Sequence, residues 1–529
     1  MIRPVKPAIL FTVISMCAVF TPSAGAQAPV RSCASLTSLQ IAETSISKSE
    51  PVAAKPKPSK PPVGPAYAMN IVDVALPSYC LASGEIDKHT GPDGKSYGIQ
   101  FALALPDKWN GRFLFQGGGG MDGVVRQPLG TQAAGKEPAL ARGFAVVSMD
   151  SGHQGGMFDM SFNRDQLASL DFAYIALGKV TTVAKKIIAK YYGEPAKHSY
   201  FVGCSTGGRQ AMLASQRYPT QFDGVVAGDP AMRTGYSRIG DAWNAVQFNQ
   251  AAPKNAQGQP ITGEAFSESD KKLLTDSILD ACDAKDGLKD GMIFDFEACH
   301  YNPDVLQCTG AKTDACLSSA QVTALQKVFA GPRDSHGVDP YVGRPYDSGV
   351  AIYMPGTFGS VLPRSGPSMF GRPNLSMSVD VDALERQAAD DPVEALTDTT
   401  FTNLSTFAAR GGKLIFFHGL SDPVFSPYDT LQYYNDMAKA NGGADQVQSW
   451  SRIFFVPGMN HCGGGPALDK FDALGAVVQW VEQGEAPNSI VATGRYFPGE
   501  SRPLCAYPKH AQYKGSGDPK DASSFVCAD

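Results

Sequence analysis

Short apolar runs alternate with longer amphipathic stretches along much of this chain. Arg112–Gln116 (RFLFQ) and Phe144–Met149 (FAVVSM) have the length and continuous apolarity of buried strands. Residues 166–192 read as a helix ending near Gly193, Tyr200–Gly203 as a strand, Gly207–Tyr218 as a helix and Gly224–Ala227 as a strand. The rhythm then stops. Residues 231–395 carry four cysteines, many Gly and Pro, and little alternation. It resumes after Thr402 with a helix to Arg410, the strand Lys413–Phe417, a helix near 428–440, the strand Arg452–Val456 and a helix near 468–483.

Strands alternating with helices imply an α/β architecture, a mainly parallel sheet covered on both faces. Residues 27–230 and 396–529 are therefore expected to form one layered domain. Residues 231–395 are expected to be a large insertion, a lid over the sheet's C-terminal edge, with a separate domain as the alternative reading. Residues 50–66 are rich in Pro and Lys and read as an extended surface segment. No internal repeat is evident.

Composition narrows the setting. The net charge is −5 and no basic block appears, which argues against a nucleic-acid partner. Residues 1–26 read as a secretion signal. Arg3 and Lys6 supply positive charge, Ala8–Phe20 is apolar, and Ala24-Gly25-Ala26 offers small residues for cleavage. The apolar run is shorter than the roughly 20 residues that span a bilayer, and no later segment is expected to span one. A lipid anchor at Cys17 is the weaker alternative, because Met16 is large for such a site. A secreted or periplasmic protein without a membrane segment after cleavage is the expectation.

The chemistry begins at Gly203-Cys204-Ser205-Thr206-Gly207, which fits G-x-S-x-G between an expected strand and an expected helix. Such a turn is strained, so small residues must flank the nucleophile. It also places the serine at a helix N-terminus, where free N–H groups can stabilise an oxyanion. Thr206 would supply one N–H. A second is expected from Gln116-Gly117-Gly118-Gly119-Gly120, with Gly118 first and Gly117 next. A phosphate-binding loop is the alternative, but no Lys-Ser/Thr follows.

A serine hydroxyl needs a base, normally a histidine oriented by a carboxylate, in the chain order Ser, Asp, His. Asp422 lies just past the strand that ends at Phe417, and it is the expected acid; its alternative role is a helix cap. His461 lies in the glycine-rich loop after the strand 452–456, and it is the expected base. His418 precedes Asp422 and breaks the order, so it reads as structural.

Eleven cysteines less Cys17 leave 11 − 1 = 10, an even number that suits disulfides in an exported chain. Pairing sequence neighbours gives Cys33–Cys80, Cys282–Cys299, Cys308–Cys316 and Cys505–Cys527. Cys204 and Cys462 remain. One precedes Ser205 and the other follows His461, so a serine and a base in contact bring these thiols close enough to bridge. A reduced chain and a metal site formed by Cys204, Cys462 and His461 are the alternatives.

Cys204-Ser205, Asp422 and His461-Cys462 resemble the CS-D-HC motif of the tannase and feruloyl esterase family, over nearly the whole stretch from Cys33 to Cys527. The resemblance implies an α/β-hydrolase fold, a lid domain and a secreted serine carboxylic ester hydrolase acting on small aromatic esters of hydroxycinnamic or gallic acids. The region after Tyr353 is shorter than the family pattern. A terephthalate monoester is the alternative substrate. It would require a cation for its free carboxylate, with Arg364 and Arg372 the residues considered. A non-catalytic phenolic-ligand binder on a hydrolase scaffold is the reading from another class, and an intact triad speaks against it.

One motif lies apart from the triad. Asp283, Asp286 and Asp290 crowd a short glycine-containing loop, either a solvated acidic turn or a site for a hard cation. The loop lacks EF-hand spacing. The family resemblance implies structural calcium, with side chains of Asp283, Asp286 and Asp290 and carbonyls of Leu288 and Met292 as ligands. No organic cofactor is expected.

Overall fold

Six buried strands form the centre of the molecule. The computed structural model describes residues 27–59, 72–156, 159–354 and 374–529. The signal expected over 1–26, Cys17, residues 60–66 of the Pro/Lys segment, Arg364 and Arg372 lie outside these.

The large sheet has nine strands. Three come first in the chain: β1 (Thr44–Val52), β2 (Tyr79–Thr90) and β3 (Ser96–Pro106). Then follow β4 (Arg112–Gln116), β5 (Ala145–Met149), β6 (His198–Cys204), β7 (Gly224–Gly228), β8 (Lys413–Gly419) and β9 (Ser451–Val456). Their spatial order is β1-β2-β3-β5-β4-β6-β7-β8-β9. The pairs from β5 through β9 are parallel, whereas β1, β2 and β3 join antiparallel at one edge.

The burial pattern explains the pairing. β5 and β7 are buried at every position, as strands covered on both faces must be. β2 alternates buried with half-exposed residues over most of its length, because one face meets the core and the other does not. That antiparallel edge escapes the strand–helix rhythm, because its strands follow one another without helices between them. Alternation also divides the core. Phe113, Phe115, Phe201, Leu414 and Phe416 point into one cluster, which contains side chains of the helices Ala176–Tyr192, Thr206–Gln216 and Pro427–Ala440. Leu114, Tyr200, Val202, Ile415 and Phe417 point into the other, with Leu474, Val477 and Trp480 of the helix Ala473–Gln483.

The helical run Gln166–Tyr192 is long and apolar enough by composition to cross a membrane, contrary to expectation. Its residues Val180, Ala184, Ile187 and Ile188 are buried inside the first cluster, which makes it a core helix. The chain between β7 and β8 is the large insertion. Among the described residues it is helical, with longer helices at Thr234–Ala251, Glu268–Cys282 and Ser319–Ala330. The chain closes with three further strands, β10 (Lys470–Phe471), β11 (Ser489–Thr493) and β12 (Ser501–Cys505), in a small antiparallel sheet, and with the hairpin β13 (His510–Tyr513) and β14 (Phe525–Ala528).

All five expected disulfides are present: Cys33–Cys80, Cys204–Cys462, Cys282–Cys299, Cys308–Cys316 and Cys505–Cys527. The bond between Cys204 and Cys462 removes both thiolates from any metal site.

Candidate active site

Ser205 sits between the last residue of β6 and the first of the helix Thr206–Gln216 with φ 65° and ψ −124°. That left-handed backbone is costly for a serine and marks a strained, over-determined turn. The chain can make the turn only because its neighbours lack side chains. A Cβ on Gly203 would stand 2.3 Å from the carbonyl oxygen of Gly207, and one on Gly207 would stand 2.8 Å from that of Gly118.

His461 and Asp422 arrive from the C-terminal ends of β9 and β8. The Nδ1 of His461 is 2.7 Å from Oδ2 of Asp422. The other oxygen of Asp422 accepts the N–H groups of Val424 and Phe425 at 2.7 and 3.1 Å. Burial alone would raise the Asp422 carboxyl. The charge of His461 and hydrogen bonds from His418 and His461 outweigh it, and hold the group well below the usual carboxylate range. Burial opposes the cation of His461, but Asp422 and then Asp229 outweigh that too, so its pKa is raised. The carboxylate thus orients the imidazole and favours its protonated form, as a base that must accept a proton requires.

His418 does not compete as base. It is fully buried, with Nδ1 2.8 Å from the hydroxyl of Thr430 and Nε2 3.3 Å from Oδ2 of Asp422. It supports the acid from behind.

The oxyanion expectation needs one correction. Gly118 donates its N–H to Oε1 of Gln210 at 2.9 Å, and Gly117 donates to the carbonyl of Val202 at 2.8 Å. Neither has an N–H to spare. Gly119 is likewise engaged, on Oδ1 of Asp122 at 2.9 Å. Among the described residues the N–H of Gly120 has no such partner, and its carbonyl accepts the hydroxyl of Thr206. The N–H of Thr206, an orphan donor of the helix start, is also unengaged. Sequence alone could not choose among four adjacent glycines, because the choice depends on where Gln210 and Asp122 reach.

Other residues of the site lie outside the sequence motifs. The segment 341–353 of the insertion is stitched along the acid loop. Arg344 is buried and donates to the carbonyl of Asp422. Asp347 accepts the hydroxyl of Ser421 at 2.6 Å and the N–H of Gly458 at 2.7 Å, tying the acid loop to the base loop. Tyr353 donates its hydroxyl to the carbonyl of Leu420 at 3.1 Å. Asp229, just past β7, is fully buried beside His418 and the Cys204–Cys462 bridge. One signal for it was legible: Gly228-Asp229-Pro230 follows a buried strand much as Ser421-Asp422-Pro423 does.

The acidic loop lies elsewhere. Asp283 and Asp286 are buried and bond the N–H groups of Asp290, Gly291, Leu288 and Phe294 at 2.9–3.3 Å. Asp290 pairs with Arg502 of β12 at 2.5 Å. Burial, with Asp290 and Asp283 adding to it, pushes Asp286 up to about 7. Arg502 pairs with Asp290 and the charge of Lys289 acts on Asp283, while Asp286 has no cation paired with it among the described residues. The carbonyls of Leu288 and Met292 accept no hydrogen bond among the described residues. This donor set suits a hard cation. The carboxylate oxygens face the loop's own N–H groups and do not form a cluster within 4.8 Å; among the described residues the triples that do are Cys204, Asp229 and Cys462, and Asp229, Asp422 and His461.

Residues 80–360 and 371–528 match the family model described as tannase and feruloyl esterase. A mono(2-hydroxyethyl) terephthalate hydrolase from Piscinibacter sakaiensis is 38% identical over 517 residues, covering 86% of this chain and 85% of that one. A probable feruloyl esterase B-2 from Aspergillus flavus is 33% identical, covering 74% and 76% of the two chains. Among solved structures, feruloyl esterase B from Aspergillus oryzae superposes with a TM-score of 0.74 at 25% identity, covering 94% of this chain and 99% of that one.

Proposed function

The chain belongs to the tannase and feruloyl esterase family and is a carboxylic ester hydrolase with the α/β-hydrolase fold; we propose that Ser205, His461 and Asp422 carry out its reaction on esters of hydroxycinnamic or gallic acids. The observation that carries this reading is the 2.7 Å contact between His461 and Asp422, with Cys462 bonded to the neighbour of Ser205.

His461 takes the proton of Ser205, whose oxygen attacks the ester carbonyl. The N–H groups of Thr206 and Gly120 are the donors left for the oxyanion. Asp422 holds the imidazole in its tautomer and stabilises its cation. His461 then protonates the leaving alcohol, and water, deprotonated by His461, releases the acid from Ser205. An intact hydrogen-bonded acid–base pair is what a non-catalytic binder would have no reason to keep.

The terephthalate monoester stands as the second reading, favoured by the 38% identity to the Piscinibacter enzyme. Structural calcium at Asp283, Asp286, Asp290, Leu288 and Met292 is part of the proposal. It would hold the insertion's loop against β12, where Arg502 already meets Asp290. Secretion belongs here too, supported by the five disulfides.

Initial rates on methyl ferulate, methyl gallate and mono(2-hydroxyethyl) terephthalate test the reading. Ser205→Ala should abolish turnover and leave the melting temperature unchanged. Retained turnover would sink the mechanism, and the preferred ester identifies the acyl group.

A further inference from the structure

The catalytic acid has a buried companion. Asp229 follows β7 as Asp422 follows β8, and its carboxylate is fully shielded from solvent. One of its oxygens accepts the N–H of Gly419 at 2.8 Å, at the end of the strand that leads into the Asp422 loop. The other accepts the N–H of Cys462 at 2.9 Å, the residue after the base. That oxygen also lies 3.2 Å from Sγ of Cys204, whose sulfur has no proton to give because it is bridged. One carboxylate therefore touches the nucleophile's neighbour, the base's neighbour and the acid's strand.

Asp229 is held there under strain. Its φ is 36° and that of Cys462 is 62°, both left-handed and both non-glycine. Such conformations persist where surrounding contacts over-determine them, and they collect at functional sites. A carboxylate in water needs no such arrangement, and a buried one costs free energy unless it is paired. Here the compensation comes from the two N–H groups and from His418, whose Nε2 is 3.6 Å away.

We propose that Asp229 is a second carboxylate of the catalytic base: a positioning residue that clamps the His461 loop to β8 and raises the proton affinity of His461 beyond what Asp422 alone provides. Ligand atoms of Asp229, Asp422 and His461 all lie within 4.8 Å of one another. At that separation an anion favours the imidazolium directly, without a hydrogen bond to it. Among the described residues, charged or titratable groups bear on His461 and its carboxylates from several elements. Asp422 meets it from the acid loop and Asp229 from the end of β7. His418 touches both carboxylates from β8, and Arg344 reaches the carbonyl of Asp422 from the insertion. The two carboxylates have unequal surroundings. Asp422 is held far below the usual range, whereas burial, opposed by His418, leaves Asp229 raised to about 6. Asp422 thus keeps its charge through the working range, and Asp229 adds to it near neutrality.

This inference rests on the triad reading and is separable from it. The assay is hydrolysis of p-nitrophenyl acetate, a small activated ester that makes little demand on an acyl pocket, by the full chain from pH 4 to 9. Ser205→Ala and His461→Ala must both be inactive; activity in either refutes the triad and with it this proposal. Given that, Asp229→Asn is expected to lower kcat about tenfold and to move the acid limb of kcat/KM down by about one pH unit, with KM within about twofold of the parent. The sign follows from the charge: a base that has lost a neighbouring anion stays neutral to lower pH. Asp229→Glu, which keeps the charge, should keep the acid limb in place. Asp229→Ser supplies a second neutral variant if the asparagine does not fold. An acid limb in a folded neutral variant that overlays the parent's overturns the proposal. So does an acid limb in Asp229→Glu that moves as far as the neutral variants' are expected to, because the charge would then not be what sets it.

Discussion

Replacing Asp347 separates two roles that a buried carboxylate can play. It belongs to the insertion, is fully buried, and uses a single oxygen, Oδ2, to accept both the hydroxyl of Ser421 and the N–H of Gly458. Alanine would orphan two buried donors at about 1–3 kcal/mol each, or about 2–6 kcal/mol together. Unfolding entropy near 2.1 cal/mol/K per residue gives about 1.1 kcal/mol/K for 529 residues. Asp347→Ala should therefore melt about 2–5 °C lower by calorimetry. It should also lose activity, because the acid loop and base loop lose their common anchor, and a displacement of about 1 Å at reacting groups costs on the order of 10² in rate. Asparagine should behave differently. Its one amide oxygen can take the place of Oδ2 and keep both bonds, while the charge that burial already disfavours is removed. Asp347→Asn should melt within about 1 °C of the parent, by the same conversion, and keep most of its kcat. An alanine variant with parental melting and kcat would refute the anchor. An asparagine variant as impaired as the alanine would show that the charge matters and the two bonds do not.

Two other outcomes are expected. Chelation with EDTA should lower the melting temperature by about 2–3 °C if calcium is bound at about 100 times its Kd, worth about 2.7 kcal/mol; Asp286→Asn should melt low already and ignore the chelator, and an unchanged parental curve would count against the metal. The double variant Cys204→Ser/Cys462→Ser opens a bridge spanning 258 residues, with at most about 5–6 kcal/mol lost by the chain-entropy model and a fall in kcat as the base loop loosens; parental kcat would mean that the bridge does not position the base.

Much of the site was legible without coordinates. The elbow at Ser205, the order Ser–Asp–His and the leftover cysteines beside nucleophile and base are local patterns, and the strand–helix rhythm orders them along the chain. Two independent lines, the triad order and the cysteine count, converged on one proximity, which the Cys204–Cys462 bond places at a Cα separation of 5.9 Å.

The sequence by itself determined what local spacing and residue type can encode: the parallel core, the strained turn at Ser205, and the order of Asp422, His461 and the cysteines along the chain; the structure decided that the cysteines are bonded as paired. Only the tertiary structure decided which glycine N–H stays free, because Gln210 and Asp122 reach the loop from other elements. It alone placed Asp229 and Asp347 against the base loop, from 233 and 111 residues away in the chain. Hydrogen bonds between such distant residues leave no periodicity in a single sequence. They exist only once β7, β8 and β9 lie side by side and bring their C-terminal ends, and the insertion, to one place.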